Sequence, residues 1–375
     1  MIIGLPRMHK EAGELRDFLP DFVSYLARTE VGGVVIEEGY GTGMGFRTQD
    51  YLRRSPKIKV GSVDDCLAQD LVIVVRAPAP EALEKLRRGA LLLSMLHYAT
   101  QPRRNALLID LGIRAVSLDS VVDDRGRRLV ENMTAVGWNA METAFAELRR
   151  RYVAFEDPER PPLRATILGS GSVAGAAAFA AARYGDQDLR ARMVAKGVPG
   201  VEIRMIDHDL TSRETYLLGV LKETDVLIDA TRRPDPTRTV VPNRLIAAMP
   251  QHAVIADLSA DPYDFDVDPP IVKAIEGVPQ GDLDHYVFHP DDRAYEDLVG
   301  LVDISHRRVA ASCYSWPGIH PLSCMELYGA QIEPLLHVLL NRAPGTWDVD
   351  SDDHLERSLA RAEIERWMHT STYSR

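Results

Sequence analysis

The stretch that decides the fold is residues 165–185, ATILGSGSVAGAAAFAAARYG. An apolar strand leads into GSGSVA at 169–174, which fits the G-x-G-x-x-G/A pattern, and an alanine-rich helix follows. Gly169 permits the tight turn, Gly171 lets the backbone approach a pyrophosphate, and Ala174 lets the helix pack against the strand. The pattern predicts a Rossmann-like dinucleotide-binding domain; the alternative is a glycine turn before an ordinary helix. The residues predicted at the phosphates are Gly169, Gly171, Ser172 and Val173.

The next strand, VEIRMI at 201–206, is followed by Asp207. A carboxylate at this position accepts both hydroxyls of an adenosine ribose and repels a 2′-phosphate, so it predicts NAD as the cofactor. The usual separation from the glycine motif is about 20 residues, but Asp207 lies 38 residues after Gly169. The segment 186–200 is interpreted as an insertion or helix extension that accounts for the excess. Otherwise Asp207 is a turn residue at a strand end.

Short apolar runs alternate with amphipathic stretches on both sides of this motif, which is typical of layered α/β proteins. Because the 375 residues exceed a single ordinary core, we expect two Rossmann-like domains with parallel sheets. The predicted strands are Met1–Leu5, Gly33–Glu37, Leu71–Arg76, Ala90–Leu96, Ile113–Leu118, Ala165–Leu168, Val201–Ile206, Asp225–Asp229 and Ala253–Leu258. The predicted helices are Glu11–Ala27, Pro80–Arg88, Pro102–Leu111, Ala135–Tyr152, Glu326–Asn341 and Leu355–His369.

Two local signals interrupt these elements. The sequence DDRG at 123–126 predicts a hairpin turn. The segment EDPERPP at 156–162 contains three prolines and is interpreted as a linker, preceded by a helix long enough to bridge two domains.

Composition narrows the class of function. The formal net charge of −11 and the pI near 5.5 disfavour nucleic-acid binding, which normally needs a basic surface. The three cysteines have neither disulfide nor metal spacing, and His285 and His289 lie in a polar loop without a second ligand cluster, so no metal is expected. The N-terminus does not fit a signal peptide, and no apolar window is long enough to span a membrane. A soluble, cytoplasmic protein is expected, and homo-oligomerisation is left open.

Several motifs, in the same order along the chain, resemble one enzyme family. They are GLPRMHKEAGELRDFLP at 4–20, LVIVVRAP at 71–78, ALLLSMLHYA at 90–99, DDRGRRLV at 123–130, VIADLSAD at 254–261 and WPGIHPLSC at 316–324. Together they are similar to alanine dehydrogenase, saccharopine dehydrogenase (lysine-forming) and carboxyethylornithine synthase. DDRGRRLV resembles saccharopine dehydrogenase most closely, and ILGSGSVA resembles the carboxyethylornithine enzyme.

The resemblance implies a set of catalytic and substrate-binding residues. Arg76 and His97 stand at the positions of the family's catalytic lysine and histidine, and Asp261 at that of a functional aspartate. The substrate-binding residues implied are Lys10, Arg16 and Arg128.

The resemblance also implies cofactor contacts and a domain arrangement. Further cofactor contacts are expected at Thr231, Leu258 and Trp316, with His320 near the cleft. The family arrangement places residues 1–135 and 310–375 in a substrate domain and residues 136–309 in an NAD-binding domain. The active cleft is expected between the two domains.

The chemistry of these side chains fits such a reaction without the resemblance. Imidazole suits proton transfer near neutrality, so His97 is the expected acid/base. Guanidinium groups bind carboxylates, and because arginine does not deprotonate, Arg76 is expected to act as an electrostatic clamp. The alternative for each arginine is a surface ion pair, for His97 a structural histidine, and for Asp261 a turn before a proline.

The reaction predicted first is the reversible oxidation of a secondary-amine dicarboxylate to an amino acid and a 2-oxo acid. The count of Arg16, Arg76 and Arg128 motivates a substrate with two carboxylates. An alanine-dehydrogenase-like deaminase is the alternative enzyme. From another class of function, the arginine in place of the family lysine leaves open a non-catalytic NAD-binding sensor or partner subunit.

Overall fold

The computed structural model describes residues 1–9, 12–233, 235–259, 262–342 and 345–372. The chain divides into two compact units, Met1–Asn132 with His320–Arg375, and Met133–Ile319. The strands are β1 (Ile2–Leu5), β2 (Gly33–Glu37), β3 (Ile58–Gly61), β4 (Leu71–Arg76), β5 (Leu91–Met95), β6 (Arg114–Ser117), β7 (Leu163–Leu168), β8 (Val201–Ile206), β9 (Val226–Asp229), β10 (Val254–Asp257), β11 (Val287–Phe288) and β12 (Val309–Ser312).

The α-helices are α1 (Pro20–Arg28), α2 (Thr48–Leu52), α3 (Val63–Leu67), α4 (Pro80–Leu83), α5 (Pro102–Asp110), α6 (Met133–Arg151), α7 (Ser172–Ala181), α8 (Gln187–Ala195), α9 (His208–Thr211), α10 (Glu214–Leu221), α11 (Asn243–Ile246), α12 (Pro321–Asn341), α13 (His354–Ala362) and α14 (Ile364–Thr372). None of the helices in the described ranges is long and apolar enough to cross a bilayer.

The first unit is built on a parallel sheet in the order β3-β2-β1-β4-β5-β6. Residues 71–75 of β4 are all apolar and all buried, as expected for a strand that is covered on both faces. Ile73 packs in the cluster that includes residues of α1 and α12, whereas Val74 packs on the opposite face with residues of α3 and α4. The strand order reverses between β1 and β4, and ligands of such sheets bind outside the carboxyl ends of the strands at that point.

The second unit is built on a sheet in the order β11-β12-β10-β9-β7-β8, in which only β11 runs antiparallel. Its order reverses between β7 and β9, so the loop after β7 lies at the equivalent point of this sheet. Helix α6 belongs wholly to this unit. A Cβ at Gly137 of α6 would lie 2.6 Å from backbone atoms of Ala176 and Ala177, so small residues allow α6 and α7 to pack closely.

Several elements differ from the expectations. The helix expected from residue 11 begins at Pro20, where a proline occupies the first turn. The helix expected over 355–369 is two helices, separated at Glu363, whose backbone is extended. The second unit continues to Ile319 rather than 309, because β12 pairs with β10. Strands β3, β11 and β12 were not predicted from the sequence.

Candidate active site

The glycine loop of the second unit has the backbone that its sequence predicts. Gly169 follows β7 with φ +103, and a Cβ there would lie 2.6 Å from the carbonyl oxygen of Ala230. Gly171 precedes α7, and a Cβ there would meet no atom within 4 Å. Gly169 is therefore required by a close backbone approach, whereas Gly171 leaves space beside the N-terminus of α7, where backbone N–H groups can bind phosphate.

Asp207 lies directly after β8, beside this loop. Its carboxylate accepts hydrogen bonds from the Ser170 hydroxyl at 2.5 Å and from the His208 backbone N–H at 2.7 Å. These bonds lower the pKa of the exposed carboxyl to about 2. Helix α8 occupies residues Gln187–Ala195 and explains why Asp207 follows the glycine loop at an unusual distance. Ser172 opens α7 as an exposed residue and Val173 follows, half-buried.

The turns after β9 and β10 hold two further predicted cofactor residues. The Thr231 hydroxyl and backbone N–H both donate to Asp229, at 2.7 and 3.0 Å. Leu258 is 5% exposed and its backbone N–H donates to the carbonyl of Asp229. Thr231 is half-buried. These contacts place both residues at the carboxyl edge of the sheet.

Trp316 is placed in the core of the second unit rather than at its surface. Its side chain is 1% exposed, and the indole Nε1–H donates to the carbonyl of Asp257 at 2.8 Å. The Asn139 amide donates to the Trp316 carbonyl. The geometry therefore favours a supporting role for Trp316 beneath the end of β10 over direct contact with a cofactor.

A buried charged group beneath the same edge was not predicted. Lys273 is 1% exposed, pairs with Asp257, and donates to the Ser312 hydroxyl at 3.1 Å. Burial would raise the pKa of Asp257, but the contact with Lys273 lowers it. Burial and the nearby Asp257 charge raise the pKa of Asp229 to about 6. Two buried carboxyl groups, Asp229 and Asp257, therefore lie beneath the turns that follow β9 and β10, and Lys273 pairs with the second of them.

A pocket of about 570 Å³, part of it open to solvent, lies at the switch point of the first unit. Its polar lining residues are Arg7 and His9 after β1, Glu14, and Arg76 at the end of β4. The His9 ring nitrogen Nε2 lies 2.5 Å from Glu37, which closes β2. Arg76, predicted as a clamp, is therefore at the position where this fold binds ligands.

Arg16 forms a buried ion pair with Glu14. Its Nε and NH2 donate to the two oxygens of Glu14 at 2.8 and 2.5 Å, and its NH1 donates to Cys324 Sγ at 3.7 Å. Both side chains of the ion pair are 2% exposed. Burial would raise the pKa of Glu14, but Arg16 lowers it. The geometry favours Arg16 as the partner of Glu14 over its predicted role as a substrate ligand.

His97 follows β5 in a left-handed conformation, with φ 49, and Asp119, in the turn after β6, fixes its orientation. Its Nδ1 lies 3.4 Å from Asp119, which also accepts from the His97 backbone N–H at 3.1 Å and from the Ser117 hydroxyl at 2.6 Å. Burial would raise the pKa of Asp119, but the bonds from His97 and Ser117 hold it well below its ordinary value. With Nδ1 facing this carboxylate, Nε2 is the nitrogen that can exchange a proton.

Of the remaining predicted residues that the structure describes, Arg128 and His320 are not among those that line this pocket. Arg128 is exposed on the hairpin expected from DDRG, where it bridges to Val122. The neighbouring Asp124 ties that hairpin to Arg357 and Arg361 of α13. Lys10 and Asp261 lie outside the described residues. His320, expected near the cleft, precedes α12 at its N-cap.

Two features missed from the sequence had readable signals. Asp119 follows the strand next to that of His97, and the carboxyl ends of neighbouring parallel strands meet. Glu14 stands two residues before Arg16, within reach of its fork.

A dinucleotide-type glycine loop in one unit and a histidine–aspartate pair in the other define an oxidoreductase-like α/β chain, and comparison with known proteins agrees. Residues 10–135 match the family model described as alanine dehydrogenase/PNT, N-terminal domain. The chain is 26% identical over 274 residues to an alanine dehydrogenase of Bacillus subtilis (strain 168), covering 70% of this chain and 71% of the relative.

A second relative is subunit alpha of the NAD(P) transhydrogenase of Haemophilus influenzae. It is 21% identical over 390 residues, covering 96% of this chain and 70% of the relative. Among solved structures, an L-alanine dehydrogenase matches with a TM-score of 0.69 at 20% identity, covering 97% of this chain and 94% of that one. A transhydrogenase from Sinorhizobium meliloti matches with a TM-score of 0.61 at 16% identity, covering 91% and 94%.

These matches confirm the α/β fold with two Rossmann-like domains and the resemblance to alanine dehydrogenase. The resemblances to saccharopine dehydrogenase and carboxyethylornithine synthase stay predictions.

Proposed function

We propose that this protein is an NAD-dependent oxidoreductase of the alanine dehydrogenase type, which interconverts an amino acid with a 2-oxo acid and ammonium. The observation that carries the proposal is the His97–Asp119 pair, in which the carboxylate orients the imidazole. His97 follows β5, and Arg76 lies at the end of the neighbouring strand β4 and lines the pocket. The first unit would bind the substrate and the second unit the cofactor. The alanine dehydrogenase relatives support the same class of reaction.

The second unit fits NAD in three respects. Gly171 leaves room for a pyrophosphate at the N-terminus of α7, and that helix has no acidic residue in its first turn to repel it. Asp207 offers an exposed carboxylate to ribose hydroxyls. When bound, NAD would accept a hydride from the substrate carbon or return it.

The substrate carboxylate is assigned to Arg76. Arg76 lines the pocket, and a guanidinium can bind a carboxylate with two parallel hydrogen bonds. Because Glu14 occupies the fork of Arg16, and Arg128 lies on an exposed hairpin, these two arginines do not add carboxylate sites at the pocket. One carboxylate fits this arrangement better than two, which favours an amino monocarboxylate.

Proton transfer is assigned to His97 Nε2. Asp119 holds the other ring nitrogen and stabilises the imidazolium when the ring gains a proton. In the aminating direction, the 2-oxo acid, ammonium, NADH and one proton give the amino acid, NAD and water. His97 would supply the proton that the departing oxygen requires, and would take it back in the reverse direction. Because Arg76 keeps its charge, it would hold the substrate carboxylate and polarise the substrate rather than transfer protons.

A secondary-amine dicarboxylate is the second candidate substrate. Arg7 and His9 line the same pocket as Arg76, so it carries more basic side chains than one carboxylate requires. Arg7 lies 3.5 Å from Asp17 and His9 contacts Glu37, however, so chain carboxylates already share these groups. The amino monocarboxylate is preferred because the alanine dehydrogenase relatives support it.

Steady-state NADH oxidation separates the two candidates. A panel of 2-oxo acids would be assayed with ammonium, with an amino acid as nitrogen donor, and with neither. We expect the highest kcat/KM with ammonium. A higher kcat/KM with an amino acid would establish the secondary-amine reaction instead. Unaltered NADH under every condition, with NADH binding retained, would favour a non-catalytic NAD-binding protein.

A further inference from the structure

The pocket beside Arg76 has walls that the proposed proton and hydride chemistry does not use. They are contributed by α3, β4 and α4 and by the segment that joins β4 to α4. The wall residues that carry the argument are Val63, Leu67, Val74, Ala77 and Ala82. All are apolar, so this side of the pocket offers no side-chain hydrogen bond to a polar ligand group.

Small side chains create the space on one side of the pocket. Ala77 and Ala79 flank Pro78 directly after Arg76, and Ala82 follows on α4. Leu67, 1% exposed, and Val74, 4% exposed, belong to the core behind them. A ligand group seated here would lie on a fixed apolar surface, where burial of each methylene is favourable.

The polar groups of the pocket lie at the carboxyl ends of β1 and β4. Arg76 comes directly after the wall strand that supplies Val74, and His9 and Glu37 form a pair on the other side of the strand reversal. A ligand that places a carboxylate at Arg76 can therefore direct an attached chain towards Val74 and Ala82. A methyl group on such a ligand would contact less of this apolar wall than a chain of several carbons would.

From this arrangement we infer that the pocket binds the aliphatic side chain of the substrate, and that the preferred substrates carry a chain of several carbons rather than a methyl group. The inference rests on the proposed function for the ligand's role as a substrate. Binding of a carboxylate with an apolar tail follows from the pocket alone, and it can be measured without turnover.

Calorimetric titration of the full-length protein with acetate, butanoate and hexanoate tests the pocket. We expect the affinity to rise about fourfold for each added methylene, the ratio given by about 0.8 kcal/mol per buried methylene. Ala82→Phe should remove most of this chain-length dependence by filling the pocket. Glu81→Phe, on the exposed side of the same helix, is the matched control and should retain it. Ala79→Phe provides a second filling variant should Ala82→Phe fail to fold.

The same series of variants is then assayed for NADH oxidation with 2-oxo acids of increasing chain length and ammonium. The ratio of kcat/KM for the long to the short substrate should exceed one and should fall in Ala82→Phe. Equal affinity for acetate and hexanoate, or an unchanged slope in both filling variants, would overturn the inference. A chain-length slope in binding without any turnover would support the pocket while refuting the proposed function.

Discussion

The Glu14–Arg16 pair offers a prediction whose size follows from its geometry. Both side chains are 2% exposed, and Glu14 accepts from Arg16 Nε at 2.8 Å, NH2 at 2.5 Å and the backbone N–H at 2.9 Å. Removing one partner of such a buried pair leaves an uncompensated charge, which typically costs about 3–5 kcal/mol. Glu14→Gln should therefore lower the free energy of unfolding by about that amount, a large part of the ~5–15 kcal/mol of a typical protein.

A double-mutant cycle measured by urea unfolding isolates the pair. Glu14→Gln, Arg16→Met and the double variant would be compared with the wild type by circular dichroism. Because the double variant leaves no unpaired buried charge, it should be less destabilised than the sum of the single variants, with a coupling of about 0.5–3 kcal/mol. If each single variant lost less than about 1 kcal/mol of unfolding free energy and the losses were additive, the structural role would be refuted. Arg16 would then again be a candidate substrate ligand.

Three further predictions concern the acid/base pair, the cofactor and pH. His97→Ala should lower kcat by ~10²–10⁴-fold while leaving NADH affinity unchanged, and Asp119→Asn should alter the pH profile of kcat. Only a small loss of kcat in His97→Ala would indicate that His97 has a structural role. Fluorescence titration should show NADH binding more tightly than NADPH by ~1–3 kcal/mol, and Asp207→Ala should narrow the gap; equal affinities in the wild type would remove Asp207 from the cofactor site. Burial raises the pKa of Asp17 from 3.8 to about 6, so its contribution to stability is present below pH ~4 and lost as the pH rises through ~6. The unfolding free energy of Asp17→Asn minus that of the wild type should therefore rise by up to ~3 kcal/mol between pH ~4 and ~7. A difference that does not change with pH would contradict the shifted pKa.

The elements that the sequence predicts best are those whose signal is local. Strands β4 and β8 have the predicted bounds, because a continuous apolar run in β4 and alternating apolar and charged residues in β8 are local signals of a strand. The glycine loop was predicted for the same reason, since its conformation depends on Gly169 and its immediate neighbours.

The elements that were missed depend on contacts distant in sequence. Strand β3 is short and its two central residues, Lys59 and Val60, are exposed, so its pairing with β2 defines it better than its hydrophobic pattern does. Strand β12 follows a long irregular segment and is defined by β10. The helix predicted from residue 11 was predicted too long at its start. The apolar residues around 15–19 suggested a helix, but they lie in a segment without regular secondary structure, and the helix begins at Pro20.

The sequence predicted which residues belong to the candidate site, but not which of these residues form ion pairs or hydrogen bonds with other side chains. Arg76 and His97 were assigned by the resemblance of two strand motifs to the enzyme family, and both lie at the carboxyl edge of one sheet. That Asp119 orients His97 depends on which strands lie side by side in the sheet, and that Glu14 pairs with Arg16 depends on the local conformation of the segment that carries both. The expected two-carboxylate substrate came from counting arginines without their partners.

The central claim is that hydride is transferred to the carbon that acquires nitrogen. It is tested most directly with NADH deuterated at the transferable position, a 2-oxo acid and ammonium, with the products analysed by mass spectrometry. We predict an amino acid carrying one deuterium at its α-carbon in amounts equal to the NADH consumed, and loss of this product in His97→Ala. Deuterium found instead in a 2-hydroxy acid, or NADH consumed without labelled amino acid, would contradict the proposed reaction.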